Sequence, residues 1–238
     1  MESPVSAVQN SPHRQRLGGL DTVVIPGSPD GPWLVVLHGY GADAWDLVPL
    51  AQVIRVPPGT NWLFPNAPLE VPLGPHMSGR AWFAIDMAAL EAAMMRGQHR
   101  DLSKDSPPAM EHARESIMQM LTEAGATWSK TILMGFSQGA MVATAAALHA
   151  HRQPLGLVVL SGTMVDEATW QAGAKKHKGL PVFQSHGTRD PLLDVQAARR
   201  LHRLFDEAGM PTEYHEFIGG HEIPQPIVER LSGWLVAR

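Results

Sequence analysis

Lys130-Thr131-Ile132-Leu133-Met134-Gly135-Phe136-Ser137-Gln138-Gly139, running on into Ala140-Met141-Val142-Ala143-Thr144-Ala145-Ala146-Ala147-Leu148-His149-Ala150, is the stretch on which the fold turns. Its first half is continuously apolar and β-rich, which predicts a strand over Lys130–Phe136 buried on both faces. Its second half is small and apolar, which predicts a helix over Gly139–Ala150. Gly135-Phe136-Ser137-Gln138-Gly139 between them has the form G-x-S-x-G. Alone that pattern is weak, but at an abrupt strand-to-helix turn it acquires a physical meaning. Such a turn holds the middle serine in a strained conformation with its hydroxyl outward. Glycines flank it because side chains there would collide where strand and helix pass closely. The helix N-terminus adds positive partial charge beside the serine.

The same alternation extends in both directions. Asp21–Pro26, Trp33–Leu37, Asn61–Phe64, Leu155–Leu160, Pro181–Ser185 and Glu213–Ile218 read as further strands. Met110, Ala113, Ile117, Met120, Leu121 and Ala124 repeat at helical spacing, with Ser106 as the expected cap and Gly125 as the stop. Ala197 to Ala208 gives a second helix ended by Gly209, and Ile227 to Leu235 a third. Strands separated by helices imply crossovers and a mostly parallel sheet covered on both faces, so the fold class is α/β. Pro49–Pro75 carries seven prolines and is expected to be mostly loop or edge. Ile85–Arg96 is a short helix with Met87, Leu90, Met94 and Met95. Together with Leu73, Met77, Trp82 and Phe83 it is either an apolar groove or lid, or simply core packing.

Composition bounds the partners. The 238 residues are 44% hydrophobic and 18% charged, enough to bury one large core. Net charge is −4 and no basic stripe is present, which argues against nucleic acid. With no cysteine, disulfides, thiolate metal sites and a thiol nucleophile are excluded. The 12 histidines include no pair at helical ligand spacing beside a third ligand, so neither metal nor cofactor is expected. Residues 1–19 lack an apolar core and read as a mobile tail ahead of one domain, 20–238; no membrane span is expected and the location is expected to be cytoplasmic.

A serine hydroxyl at neutral pH needs a base, and the base an orienting carboxylate. Both are expected later in the chain, acid before histidine, on loops after strands. Asp190 in His186-Gly187-Thr188-Arg189-Asp190-Pro191 and His221 in Gly219-Gly220-His221-Glu222 meet that condition. Asp194 is a rival acid that otherwise caps the next helix. His38, His186 and His215 read as structural. An oxyanion needs two N–H donors. Gln138, after the serine, is one candidate, and the loop Leu37-His38-Gly39-Tyr40-Gly41-Ala42-Asp43 offers Tyr40 as the other.

Leu37-His38-Gly39-Tyr40-Gly41, Ala81-Trp82-Phe83, Gly135-Phe136-Ser137-Gln138-Gly139-Ala140, Gly187-Thr188-Arg189-Asp190 and Gly220-His221-Glu222 together resemble the phospholipase/carboxylesterase family, which includes the acyl-protein thioesterases. The resemblance runs over residues 20–238. It implies an α/β-hydrolase fold, a triad of Ser137, Asp190 and His221, and an oxyanion hole from Tyr40 and Gln138. One departure is Ala84, where family members commonly carry an acid directly after the aromatic pair. The expectation is a serine carboxylesterase acting on small-molecule esters of short to medium acyl length. Trp82 and Met164 are the expected substrate contacts. Thioesterase or lysophospholipase activity is the alternative within the same machinery, and a non-catalytic binding module the alternative outside it. The resemblance also allows a homodimer.

Overall fold

The computed structural model describes residues 11–238. Eight strands form one sheet: β1 (His13–Leu17), β2 (Leu20–Ile25), β3 (Trp33–Leu37), β4 (Asn61–Pro65), β7 (Thr131–Phe136), β8 (Gly156–Leu160), β9 (Val182–Gly187) and β10 (Thr212–Phe217). Their order is β1-β2-β4-β3-β7-β8-β9-β10. β1 and β2 are antiparallel to their neighbours, and from β4 to β10 every pairing is parallel. A separate hairpin pairs β5 (Leu69–Gly74) with β6 (Met77–Ala81).

Parallel strands need crossovers, and the helices that make them cover both faces. On one face lie α4 (Pro108–Glu123), α5 (Gln138–His149), α6 (Glu167–Ala174) and α7 (Val195–Glu207). On the other lie α1 (Ala44–Leu47), α2 (Leu50–Val53) and α8 (Gln225–Val236). The remaining helix, α3 (Met87–Met95), lies between β6 and α4 in the chain. Alternation along each strand divides the core in two. Leu133 faces α5 while Ile132 and Met134 face α8, and Val35 and Leu37 oppose Leu34 and Val36 in the same way.

Two segments fold otherwise than the sequence predicts. The expected tail 1–19 contains β1. Leu17-Gly18-Gly19-Leu20 closes a hairpin in which Gly18 (φ 57°) and Gly19 (φ 74°) supply the left-handed pair that a two-residue turn requires. Leu17 is buried, and the Gly18 N–H donates to the Glu123 carboxylate at 2.6 Å. Polar residues hid this strand because its exposed face is almost all of it; residues 1–10 lie outside the described region. Second, Ser106 does not cap α4. The helix opens on Pro107 and Pro108, and the Ser106 hydroxyl donates instead to Asp166 at 2.9 Å.

Candidate active site

Four loops meet at the carboxyl ends of β3, β7, β9 and β10, where an open parallel sheet presents its crevice. Ser137 follows β7 with φ 55° and ψ −120°, a conformation that costs free energy for any residue but glycine. The surroundings enforce it. A Cβ on Gly135 would strike the main chain of Gly139, and one on Gly139 would strike that of Leu37. The Ser137 N–H donates to the Leu160 carbonyl at 2.9 Å, and α5 begins at the next residue.

Asp190 and His221 come together across 31 residues. His221 Nδ1 lies 2.7 Å from Asp190 Oδ2, and the Leu192 and Leu193 amides donate to Asp190 Oδ1 at 2.8 and 3.0 Å. Burial pushes the Asp190 carboxyl up. The hydrogen bond and charge of His221, with the two amides, outweigh burial and hold the acid below the usual carboxylate range. The His221 ring packs on Phe136, with centroids 4.9 Å apart. Ser137 and His221 line one cleft of about 300 Å³. Asp194, the rival acid, accepts from the Gln196 N–H at 2.9 Å and caps α7.

Gln138 is the first residue of α5, where a main-chain N–H has no acceptor within the helix. Its side chain is fully buried and does a different task. Oε1 accepts from the Trp82 N–H at 2.8 Å, and Nε2 donates to the Phe83 carbonyl at 2.7 Å. Tyr40 lies on a loop zipped to the end of β6 by Gly41 N–H to Arg80 O (2.8 Å) and Arg80 N–H to Ala42 O (3.0 Å). Asp43 and Asp46 then form a reciprocal capping box that starts α1, a local D-x-x-D signal that the sequence carries. Both Tyr40 and Gln138 line the cleft.

Neither expected substrate contact does. Trp82 is fully buried and donates through its indole N–H to the His38 carbonyl at 2.9 Å, and Met164 is buried in the core. Their places just after strand ends point to substrate, but the chain turns both side chains inward. The cleft is lined instead by Met87 and Leu90 of α3, Leu47, Met141, Leu192 and Leu193. Leu73 and Met77 stay exposed on the hairpin. His38 is structural: Nδ1–H donates to the Gly39 carbonyl at 2.8 Å, and Nε2 accepts from the Ala67 N–H at 3.0 Å.

Two polar ties at the site carry no sequence signal. His99 stands in the loop after α3, and its Nε2 hydrogen bonds to the Asp190 carbonyl at 2.9 Å. Ser161, at φ 47°, directs its hydroxyl to the Glu222 carbonyl at 3.4 Å, next to His221. Among the described residues no group of three or more His, Asp or Glu side chains is placed to hold a metal ion.

The sheet order, the serine elbow and the crevice define an α/β-hydrolase. The phospholipase/carboxylesterase family model matches residues 19–237, and the chain belongs to that family. Acyl-protein thioesterase 1 of Cryptococcus neoformans is 27% identical over 177 residues, 70% of this chain and 69% of that protein. Carboxylesterase SOBER1 of Arabidopsis thaliana is 24% identical over 211 residues, 87% of this chain and 90% of the relative. Among solved structures, esterase PE8 superposes with a TM-score of 0.73 at 25% identity, covering 91% of this chain and 97% of that one. The chain is a hydrolase.

Proposed function

We propose that the chain is a serine carboxylesterase that hydrolyses short- to medium-chain esters through an acyl-enzyme on Ser137. The observation that carries this reading is the 2.7 Å hydrogen bond between His221 and Asp190 in a cleft shared with the strained Ser137. His221 Nε2 takes the Ser137 proton as Oγ attacks the acyl carbon. The carbonyl oxygen becomes an oxyanion facing the main-chain N–H groups of Tyr40 and Gln138. Asp190 fixes the Nδ1–H tautomer and stabilises the imidazolium, which then protonates the leaving alcohol. Water, deprotonated by His221, attacks the acyl-enzyme, and collapse returns Ser137 and a carboxylic acid.

The size of the cleft bears on acyl length. Ligand sites commonly span about 300–1,000 Å³, and this one lies at the lower end with apolar walls. A medium alkyl chain suits it better than a palmitoyl chain. A series of p-nitrophenyl esters from acetyl to palmitoyl, with matched acyl thioesters, tests the reading. The expected maximum in kcat/KM lies between butyrate and octanoate on the esters. Turnover confined to long acyl thioesters would overturn it in favour of thioesterase activity. No membrane-crossing helix occurs among the described residues.

A further inference from the structure

The cleft that Ser137 and His221 share is lined in part by Ile85, Arg100 and Leu102. The same three residues also line a second, smaller hollow of about 50 Å³, whose other walls include Phe83, Ala84 and Val165. They are the partition between the two spaces. Ile85 and Leu102 are apolar, but Arg100 is not. Its Nη2 donates to Asp105 Oδ2 at 2.9 Å, and Asp105 lines the second hollow but not the cleft. The ion pair therefore holds the Arg100 side chain across the boundary.

Arg100 stands on a segment tied down on both sides of it. Before it, His99 Nε2 bonds to the Asp190 carbonyl. After it, Asp101 pairs with Arg200 of α7 at 3.2 Å, and the Ser103 and Asp105 carbonyls accept the Glu167 and Asp166 N–H groups at the start of α6 at 2.8 and 2.9 Å. Asp46, the other charged group on the cleft wall outside the triad, is taken up by its capping box. An alkyl chain gains about fourfold in binding for each methylene it buries against apolar surface. Against a guanidinium held on a carboxylate it gains nothing and strips water from both charges. The methylene stem of an arginine extends an apolar wall, and its charged head ends it.

We propose that Arg100, pinned by Asp105, is a specificity-determining residue: it is the end wall of the acyl cleft and sets the longest chain accepted by closing the cleft off from the second hollow. This rests on the esterase reading above and deepens it. Truncating Arg100 joins the two spaces. At roughly 10–15 Å³ for each water-sized probe, the 50 Å³ hollow admits about four further chain atoms. Ala84, small and on the wall of that hollow, leaves room for them.

The experiment measures kcat/KM on p-nitrophenyl butyrate and p-nitrophenyl laurate for the wild type, Arg100→Ala, Ala84→Leu and the double variant. The quantity read is the laurate-to-butyrate ratio within each protein, so any loss of folded enzyme cancels. Arg100→Ala is expected to raise the ratio about tenfold or more, the gain from two or more newly buried methylenes. Ala84→Leu alone is expected to leave it within about twofold, because no chain reaches the hollow in the wild type. In the Arg100→Ala background the same change fills the hollow and is expected to cancel most of the gain. Should Arg100→Ala fail to fold, Asp105→Asn frees the Arg100 head and is expected to move the ratio in the same direction. An unchanged ratio in the variant that folds would overturn the proposal. So would a gain that Ala84→Leu does not diminish, or a wild type that takes laurate as readily as butyrate. The two levels separate cleanly. A wild type with no turnover of either ester and no fluorophosphonate adduct brings down the esterase reading and this inference with it. A wild type that prefers butyrate, beside an unaltered Arg100→Ala, removes only the role of Arg100.

Discussion

Each residue of the proposed triad has one task that its neighbours enforce. Ser137→Ala removes the nucleophile while keeping the elbow, so kcat on p-nitrophenyl butyrate is expected to fall on the order of 10⁴–10⁶-fold with little change in binding. Asp190→Asn keeps the shape but permits the wrong His221 tautomer, for an expected loss of about 10⁴ in kcat. Asp194→Ala separates the two acids. It removes the cap of α7, costs about 1 kcal/mol in urea denaturation and leaves kcat as it was. A large loss of turnover in Asp194→Ala would reverse the assignment of the acid.

At the scale of elements, the site depends on how loops are tied to the sheet. Gln138→Ala is the informative change. It strips the partners from the buried Trp82 N–H and Phe83 carbonyl, with an expected cost of about 2–4 kcal/mol in urea denaturation. Its main-chain N–H stays at the start of α5, so kcat is expected to fall far less than in Ser137→Ala. The parallel strands were legible in the sequence because burial on both faces writes continuous apolar runs, as in Ile132 to Met134 and Leu157 to Leu160. Ser137 follows such a run, whereas His221 follows Thr212–Phe217, polar and only half-buried, and it is the Gly219-Gly220 pair that marks it in the sequence. Strand β1 was not, since its side chains mostly face water and only the Gly18-Gly19 turn betrays it. The cleft walls were legible in part: the groove reading built on 85–96 includes Met87 and Leu90, which line the cleft, and also Trp82, which does not. Whether Trp82 or Met87 meets a ligand depends on the path of an irregular segment, which carries no periodicity to read.

Across the whole molecule, buried histidines make stability depend on pH. Burial, in each case the largest influence, holds His38, His177 and His186 below the ordinary histidine pKa of 6.5. The unfolded chain therefore binds more protons than the native one once the pH drops below about 6.5, and stability is lost progressively on acidification. Asp190 adds to this lower down. Its carboxyl is held below 3.8, so its contribution is present above that value and fades as pH falls through the native pKa. Thermal melts at pH 7.5, 6.0 and 5.0 are expected to show a falling Tm well before the carboxylates titrate. A Tm that is constant from 7.5 to 5.0 would contradict the neutral, buried state of these imidazoles.

On the proposed mechanism Ser137 is an activated nucleophile, and mass mapping of the protein after reaction with a fluorophosphonate reads that reactivity. A single stoichiometric adduct on the Ser137 peptide, absent from Ser137→Ala and greatly slowed in His221→Ala, is the predicted result. No adduct on the folded wild type, or one that persists in Ser137→Ala, would contradict it.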